Sequence, residues 1–330
     1  MPEYVGKTVN HASFTQSCTA DKMKKEVSAM TNNAFNAAIE KKSPFAAYNG
    51  ERLNMVSANP AACTVRLTDL DELILLTINQ MLITTAHLLD RHLHNLGLEG
   101  VQIDDIRTAL ARLSESGFLT KYEFVTPVSK AYSRVYTLGQ CGQEFVKSRG
   151  QRLRMTGYIA SLDALHAKRL LASLQYVISR KYSRTAESVT VAGVVVEQKK
   201  EAGAETDRIF RPQVTVQCSD HTVFVDAVRR THRAAEELAD KLTRMDETLR
   251  CSRYLNISVK ADVDVVIVCE STQHMAEVME ELDEYRLKLC YKLWFTNDAE
   301  VFNNPGACLH EFACRKGVLD IVRNAWTKIK

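Results

Sequence analysis

The sequence predicts an α+β chain in which a small unit of helices and a β-hairpin precedes a larger α/β unit built on a mixed sheet. Three observations predict it. Between Leu67 and Leu138 apolar residues recur three times at helical spacing and then give way to two short β-rich runs. From Ser188 onward the texture turns β-branched, and Val263 to Cys269 is an apolar run of the kind a strand covered on both faces needs. Between these runs lie long amphipathic stretches, Thr231 to Cys251 and Ser271 to Lys288, which place helices between strands.

In the small unit the first helix is expected from about Thr68 to Asn79, with Leu70, Leu73, Ile74 and Ile78 at helical spacing. The second opens at Thr84 or Thr85, a hydroxyl able to accept a free backbone N–H. It buries Leu88, Leu89, Leu93 and Leu96 and stops at Gly97. The third opens near Asp104, an anion on a positive helix end, buries Ile106, Leu110 and Leu113, and stops at Gly117. Phe118 to Val125 and Arg134 to Leu138 then pair as strands around the turn Thr126 to Lys130. Three short helices and a hairpin are the pattern of a winged helix-turn-helix.

The outer face of the third helix carries Arg107, Thr108, Ala111 and Arg112. Guanidinium groups on a groove-sized rod suit guanine edges and phosphate, so Arg107, Thr108 and Arg112 are the expected base contacts. Lys121, Lys130 and Arg134 are the expected phosphate contacts of the hairpin. Such units also serve protein contact, and Asp104, Asp105 and Glu115 dilute the local charge.

A chain of 330 residues fits two domains better than one. Hydrophobic content of 45% and charged content of 25% are those of an ordinary globular protein, and a net charge of +3 identifies no partner. Distribution says more. Arg149, Arg152, Arg154, Lys168, Arg169, Arg180, Lys181 and Arg184 face one acid, Asp163. This stripe either neutralises phosphates or is a solvated surface with its counter-charges elsewhere. Nine cysteines stand without paired spacing, Met1 to Gly50 lacks a continuous apolar core, and no eighteen apolar residues run together. Reduced thiols, a cytoplasmic location and no membrane span are therefore expected. No G-x-x-x-x-G-K-[ST], G-x-G-x-x-G or G-x-S-x-G string occurs, which disfavours a nucleotide hydrolase, a dinucleotide enzyme or a serine hydrolase.

Residues 1–63 read as an N-terminal helix (Thr19 or Asp21 to Glu40) and a partly flexible linker from Lys41 to Cys63. Residues 64–150 form the winged unit, 151–184 a basic connecting helix, and 185–330 the sheet domain. After the hairpin, helices are expected over Gly139 to Lys147 and Tyr158 to Arg180. Ser188 to Glu197 reads as a strand, Lys199 to Arg208 as polar and turn-like, and Phe210 to Gln217 with Thr222 to Val228 as a hairpin. Lys292 to Thr296 is a short strand, and a last helix begins near Val318. Cys308, His310 and Cys314 with Cys290 upstream, and His87, His92 and His94 on the second helix, lack the usual zinc spacing. They read as buried thiols and ordinary histidines, with His87 and Asp90 spaced to cap or pair.

The motifs stand in an order that resembles the replication-relaxation family of bacterial plasmids and mobile elements. They are Leu67-Thr68-Asp69, Ala109 to Leu119, Tyr136-Thr137-Leu138-Gly139 with Gly142, Phe210-Arg211-Pro212-Gln213, Val225 to Thr231, Lys241-Leu242 and Phe295-Thr296-Asn297. The resemblance implies a winged helix followed by a restriction-endonuclease-like, PD-(D/E)xK-like sheet domain. A nuclease of that kind needs two carboxylates on adjacent strands to hold a hard cation, usually magnesium, and a nearby lysine. Here the position after Arg211-Pro212 is Gln213, and two residues beyond Asp226 stands Val228. Asp226 and Lys241 remain as the pair a nuclease would use, with Asp207, Asp220 or Glu236 as substitutes for the missing acid.

The expected function is sequence-specific binding of double-stranded DNA, without cleavage, by a homodimer serving a mobile element as replication accessory or transcriptional regulator. Arg211, Arg229 and Arg230, with His232 and Arg233, would hold backbone at the former catalytic edge, unless Asp226 pairs with one of those arginines. No metal or small-molecule cofactor is expected. The alternatives are a divalent-metal-dependent DNA nuclease, which would need magnesium, and a protein–protein assembly module.

Overall fold

The protein is described from a computed structural model covering residues 43–56, 65–127, 133–154, 162–192, 195–201, 204–250, 262–303, 308–315 and 318–323. All belong to one compact unit, residues 42–330. The helix expected before Lys41, and Lys130 in the hairpin turn, lie outside the described residues. The architecture is mixed α/β, with a three-stranded antiparallel sheet, a seven-stranded mixed sheet and a two-stranded ribbon.

The first part of the chain is not a plain linker. β1 (Arg52–Val56) pairs antiparallel with β2 (Leu119–Val125), from Arg52 opposite Val125 to Val56 opposite Lys121. β2 pairs in turn with β3 (Ser133–Leu138), from Leu119 opposite Leu138 to Phe124 opposite Ser133. The linker expectation failed because the Asn- and Ser-rich flanks hide a five-residue strand with little alternation of its own. Its place is set by the unfilled edge of β2.

Three helices precede that hairpin. α1 (Asp69–Met81) starts at Thr68, whose hydroxyl accepts the Asp71 N–H while Asp71 accepts the Thr68 N–H, a reciprocal cap. α2 (Ala86–Asn95) starts at Thr85, which accepts the Leu88 N–H at 3.2 Å. α3 (Ile103–Glu115) is capped two residues earlier than expected, by Gln102, whose N–H donates to the Asp105 carboxylate. Ile74, Ile78, Leu89, Leu93, Ile106, Leu110 and Leu113 make the shared core. Leu96, expected in the buried stripe, is 43% exposed. The connection between α1 and α2 is fastened to the free side of β3 by two backbone bonds between Thr84 and Tyr136.

α4 (Gln140–Ser148) follows β3 and closes on the connection between α3 and β2. α5 (Ala164–Ser179), capped by Asp163, and the short α6 (Tyr182–Thr185) lead into the large sheet. Its strands are β4 (Ser188–Val191), β7 (Val214–Gln217), β8 (His221–Ala227), β9 (Asp262–Cys269), β10 (Lys292–Asn297), β11 (His310–Arg315) and β12 (Val318–Arg323). The order across the sheet is β12-β11-β10-β9-β8-β7-β4, with β8, β9 and β10 mutually parallel and every other pairing antiparallel.

Alternation along the strands sorts the two faces. Val223, Val225, Val266 and Val268 join α5 and the helices of the small unit in one core. Phe224, Val265, Ile267, Leu293 and Phe295 face the crossover helices α7 (Ala234–Arg250) and α8 (Thr272–Glu284). The parallel strands are thus covered on both faces, as their apolar sequence requires. α9 (Asp298–Asn303) starts directly where β10 ends.

Three expectations change in this half. Ser188 to Glu197 is not one strand: Ala192, at φ 49°, breaks it between β4 and β5 (Val195–Glu201). The stretch expected as a turn supplies β6 (Ala204–Phe210), the other arm of a ribbon running from Val195 opposite Phe210 to Glu201 opposite Ala204. The C-terminal helix expected from Val318 is instead strand β12 on the edge of β11. A short run rich in Val and Ile suits either element, and the open ladder of β11 decides it.

Gly142 sits inside α4, where alanine would normally be better by about 0.8–1 kcal/mol. A Cβ there would lie 2.2 Å from the Phe118 carbonyl oxygen, and one at Gly139 2.4 Å from that of Gly117. Gly142→Ala is therefore expected to lower stability by about 1–3 kcal/mol, the usual cost of overpacking. Urea denaturation checks it, and a stabilised variant would refute the close-approach argument.

Candidate functional site

The outer face of α3 is open. Arg107, Thr108, Ala111 and Arg112 are all exposed. The Arg107 guanidinium, 52% exposed, meets Asp104 at 3.0 Å one turn earlier. The Thr108 hydroxyl donates to the Asp104 carbonyl at 2.8 Å, which leaves its lone pairs outward. Arg112 differs. Its guanidinium reaches across to α1 and meets Asp71 at 2.5 Å, and Asp71 is fully buried. Burial opposes the Asp71 carboxylate, but the Arg112 and Thr68 hydrogen bonds outweigh it and hold its pKa below the usual 3.8. Arg112, expected to contact bases, is a clamp between two helices.

On the hairpin, Arg134 is 65% exposed and pairs across the strands with Glu123 at 3.1 Å. Lys121 is half-buried and makes no ion pair among the described residues. The basic stripe is divided by the fold. Arg152 and Arg154 point to solvent while their backbone is pinned by Asn79. Arg149 pairs with Glu72, and Arg169 with Glu237 at 3.1 Å. Lys168 is fully buried. Counter-charges on other elements account for three of its eight cations, Arg149, Lys168 and Arg169.

In the large sheet Asp226 and Lys241 come together as their sequence context suggested. The Lys241 Nζ lies 2.7 Å from an Asp226 carboxylate oxygen that also accepts the Gln213 N–H at 3.0 Å. Asp226 is 3% exposed and pairs with Lys241, not with an arginine. The Gln213 amide turns away from it: its oxygen accepts from Ser173 of α5 and from the Ala227 N–H, at 2.6 and 2.9 Å. Asp220 is engaged by His221, and Glu236 by Arg233. A magnesium ion needs several converging oxygens, and this set offers one carboxylate already bound to an ammonium group. The residues do not fit that metal. Among the described residues no group of three or more His, Cys, Asp or Glu converges.

Of the arginines at this edge, Arg211 is exposed. Arg230 meets Glu277 at 3.2 Å on the surface. Arg229 cannot touch DNA, because it is fully buried and ion-paired with Asp298 at 3.1 Å. Its guanidinium also donates to the Val228 carbonyl at 3.0 Å.

That pair belongs to a cluster that sequence reasoning missed, at the carboxyl ends of β8, β9 and β10. Lys168 meets Glu51 at 2.6 Å and donates to the Ala46 carbonyl. Glu270 accepts the N–H groups of Ala47 and Arg230, both at 2.9 Å. Asp298 accepts the Ser43 hydroxyl. Burial raises the Asp298 carboxyl above its usual range, and burial lowers the Lys168 ammonium against the pull of Glu51. Behind Glu270, His274 is held neutral, its pKa lowered to about 3 by burial, and its Nδ1 accepts the Glu270 N–H. The only sequence signal was position: Glu270 and Asp298 stand directly after apolar strand runs.

Elsewhere, His94 rather than His87 pairs with Asp90, at 3.5 Å. The Nε2 of His310 meets Glu300 at 2.9 Å. Cys218, Cys269, Cys290 and Cys308 are not disulfide-bonded, but Cys141 is, so the expectation of reduced thiols fails there. Among the described residues no helix is long and apolar enough to cross a membrane.

No protein-family model matches this chain, and no curated protein matches it. Among solved structures, a protein of Vibrio cholerae, VC1899, aligns over 76% of this chain and 56% of its own length, at 9% identity and a TM-score of 0.29. A likeness this slight carries no argument about fold or function.

Arg112→Ala is expected to cost about 1–3 kcal/mol at neutral pH, less than a wholly buried pair because the guanidinium is 43% exposed. Asp71 has a depressed folded pKa, so its contribution is present above the unfolded value of about 3.9 and is lost as pH falls through the folded one. The gap between variant and wild-type urea midpoints should therefore close in acid. A gap independent of pH would remove Asp71 from the explanation.

Proposed function

We propose that this protein binds double-stranded DNA without cleaving it, using a winged helix in which α3 enters the major groove and the β2–β3 hairpin is the wing. The observation that carries the reading is the uncovered outer face of α3, with Arg107 and Thr108 presented to solvent, together with the exposed Arg134 on the hairpin. The Arg107–Asp104 pair is exposed, and such pairs are worth at most about 1 kcal/mol. A guanine edge or phosphate can take the guanidinium at small cost. Arg152, Arg154 and Arg211 are further exposed cations.

The base contacts in this reading are Arg107 and Thr108. Arg112 presents them by holding α3 on α1. Two copies are needed on one site, because a single helix and wing read too few base pairs for strong discrimination. The large sheet belongs to a degenerate nuclease-like domain of the PD-(D/E)xK kind in this reading. Its mixed pairing and the Asp226–Lys241 contact support that, and the turned-away Gln213 supports the loss of cleavage. A role in replication or transcription of a mobile element follows from the resemblance of the motifs.

The test is fluorescence anisotropy on random duplex and on genomic fragments recovered with the protein, over a range of salt. Arg107→Ala should weaken the recovered site by about 1–3 kcal/mol, and Arg134→Ala should weaken all sequences and reduce the salt slope by about 1. Negligible affinity for any duplex at physiological salt would leave the assembly reading instead. Supercoiled plasmid incubated with magnesium or manganese is expected to stay intact. Nicking by the wild type that Asp226→Asn abolishes would replace the proposal with a nuclease.

A further inference from the structure

The carboxyl ends of parallel strands are where open α/β sheets hold ligands. Here that place is filled by the chain itself. Ser43 to Glu51 crosses the ends of β8, β9 and β10 before entering β1, and its contacts go to charged side chains. The Ser43 hydroxyl goes to Asp298, the Ala46 carbonyl to Lys168, the Ala47 N–H to Glu270 and the Glu51 carboxylate to Lys168. Phe45 is buried beside them, 5% exposed, and the Tyr48 ring lies 4.7 Å from the Lys168 Nζ.

The charges point to what the place is built to take. Without the segment, Lys168 and Arg229 face Glu270 and Asp298, and the cluster is balanced. Glu51 is a surplus anion that the segment brings in. The acids accept a hydroxyl and an N–H from the segment, and the Lys168 ammonium donates to its Ala46 carbonyl and pairs with its Glu51 carboxylate. A second observation is independent of the segment: the Nε of Arg229, in a side chain with no exposure, meets no acceptor among the described residues. A buried guanidinium N–H without a partner is costly and calls for an acceptor.

We propose that the ends of β8, β9 and β10 form a binding site for a small hydroxylated anion, a phosphate or a carboxylate, and that Ser43 to Glu51 occupies it as an internal ligand. The anionic group replaces Glu51 at Lys168 and supplies an acceptor to Arg229. The hydroxyls replace the Ser43 and Ala47 donors at Asp298 and Glu270. Binding displaces the segment, which runs directly into the edge strand of the small sheet. The site stands apart from the DNA reading and is tested without DNA.

The experiment is isothermal titration calorimetry of the full chain with glycerol 3-phosphate, malate and inorganic phosphate, on the wild type and on Glu51→Gln. Hydrogen exchange over residues 43–51 runs in parallel. Glu51→Gln should bind at least one hydroxylated probe about tenfold more tightly than the wild type, a difference of about 1.4 kcal/mol. Adding Lys168→Gln should abolish it. Comparing glycerol 3-phosphate with malate separates phosphate from carboxylate, and weaker binding of inorganic phosphate supports the hydroxyl contacts. Bound probe should speed exchange at the Ala47 amide. If Glu51→Gln does not fold, Ser43→Ala, which leaves both ion pairs intact, should still raise affinity by about threefold, a smaller step on the same scale. A folded variant that binds none of the probes, or binding that survives Lys168→Gln, or unchanged exchange on binding, overturns the proposal.

Discussion

The ion pairs at the strand ends, Lys168 with Glu51 and Arg229 with Asp298, are what the rest of the structure depends on. Each removes two charges from water, which is costly unless further hydrogen bonds complete the set. They do so here by recruiting four parts of the chain: the segment before β1, helix α5, and the ends of β8 and β10. Lys168 also lies 5.1 Å from the ring of Phe124 on β2. That ammonium group is one link between the small sheet and the large one, beside the bonds of Ser43 to Asp298 and of Ala47 to Glu270. One apolar core also runs from the helices of the small unit to one face of the large sheet.

Burial divides the cations into two kinds. Arg229 and Lys168 have no exposure, and moving either into water would strand a buried carboxylate. Arg112 is intermediate, half in solvent yet fixed by a carboxylate that is not. Arg107, Arg134, Arg152, Arg154 and Arg211 stay in water, where their pairs are weak and their partners exchangeable. Only the second kind can serve a phosphate backbone, because recognition there exchanges one hydrated partner for another. The Asp226–Lys241 contact follows the same rule: the acid is buried, and its partner is a neighbouring ammonium group.

Much of the local structure was legible before any coordinates. Thr68 and Thr85 sit where their hydroxyls cap helices, Ile74, Leu89 and Leu110 recur at helical spacing, and Val265 to Val268 have the composition of a covered strand. Three strands were misread. Arg52 to Val56 pairs with a remote partner, β2, whose open edge no short window could show. Ala204 to Phe210 and Val318 to Arg323 pair with the strands just before them, and their own composition is polar in the first and suits either element in the second.

The sequence by itself determined the elements whose reasons are local: caps, helical stripes and apolar strand runs. Tertiary structure decided where each charge found its partner. Arg112 and Arg107 lie five residues apart on one helix, yet one meets a buried acid on α1 and the other an exposed acid on its own turn. Glu51 and Lys168 are more than a hundred residues apart and meet in the dry interior. Electrostatic strength depends on distance and on exclusion of water, and both belong to the folded chain, not to the order of its residues.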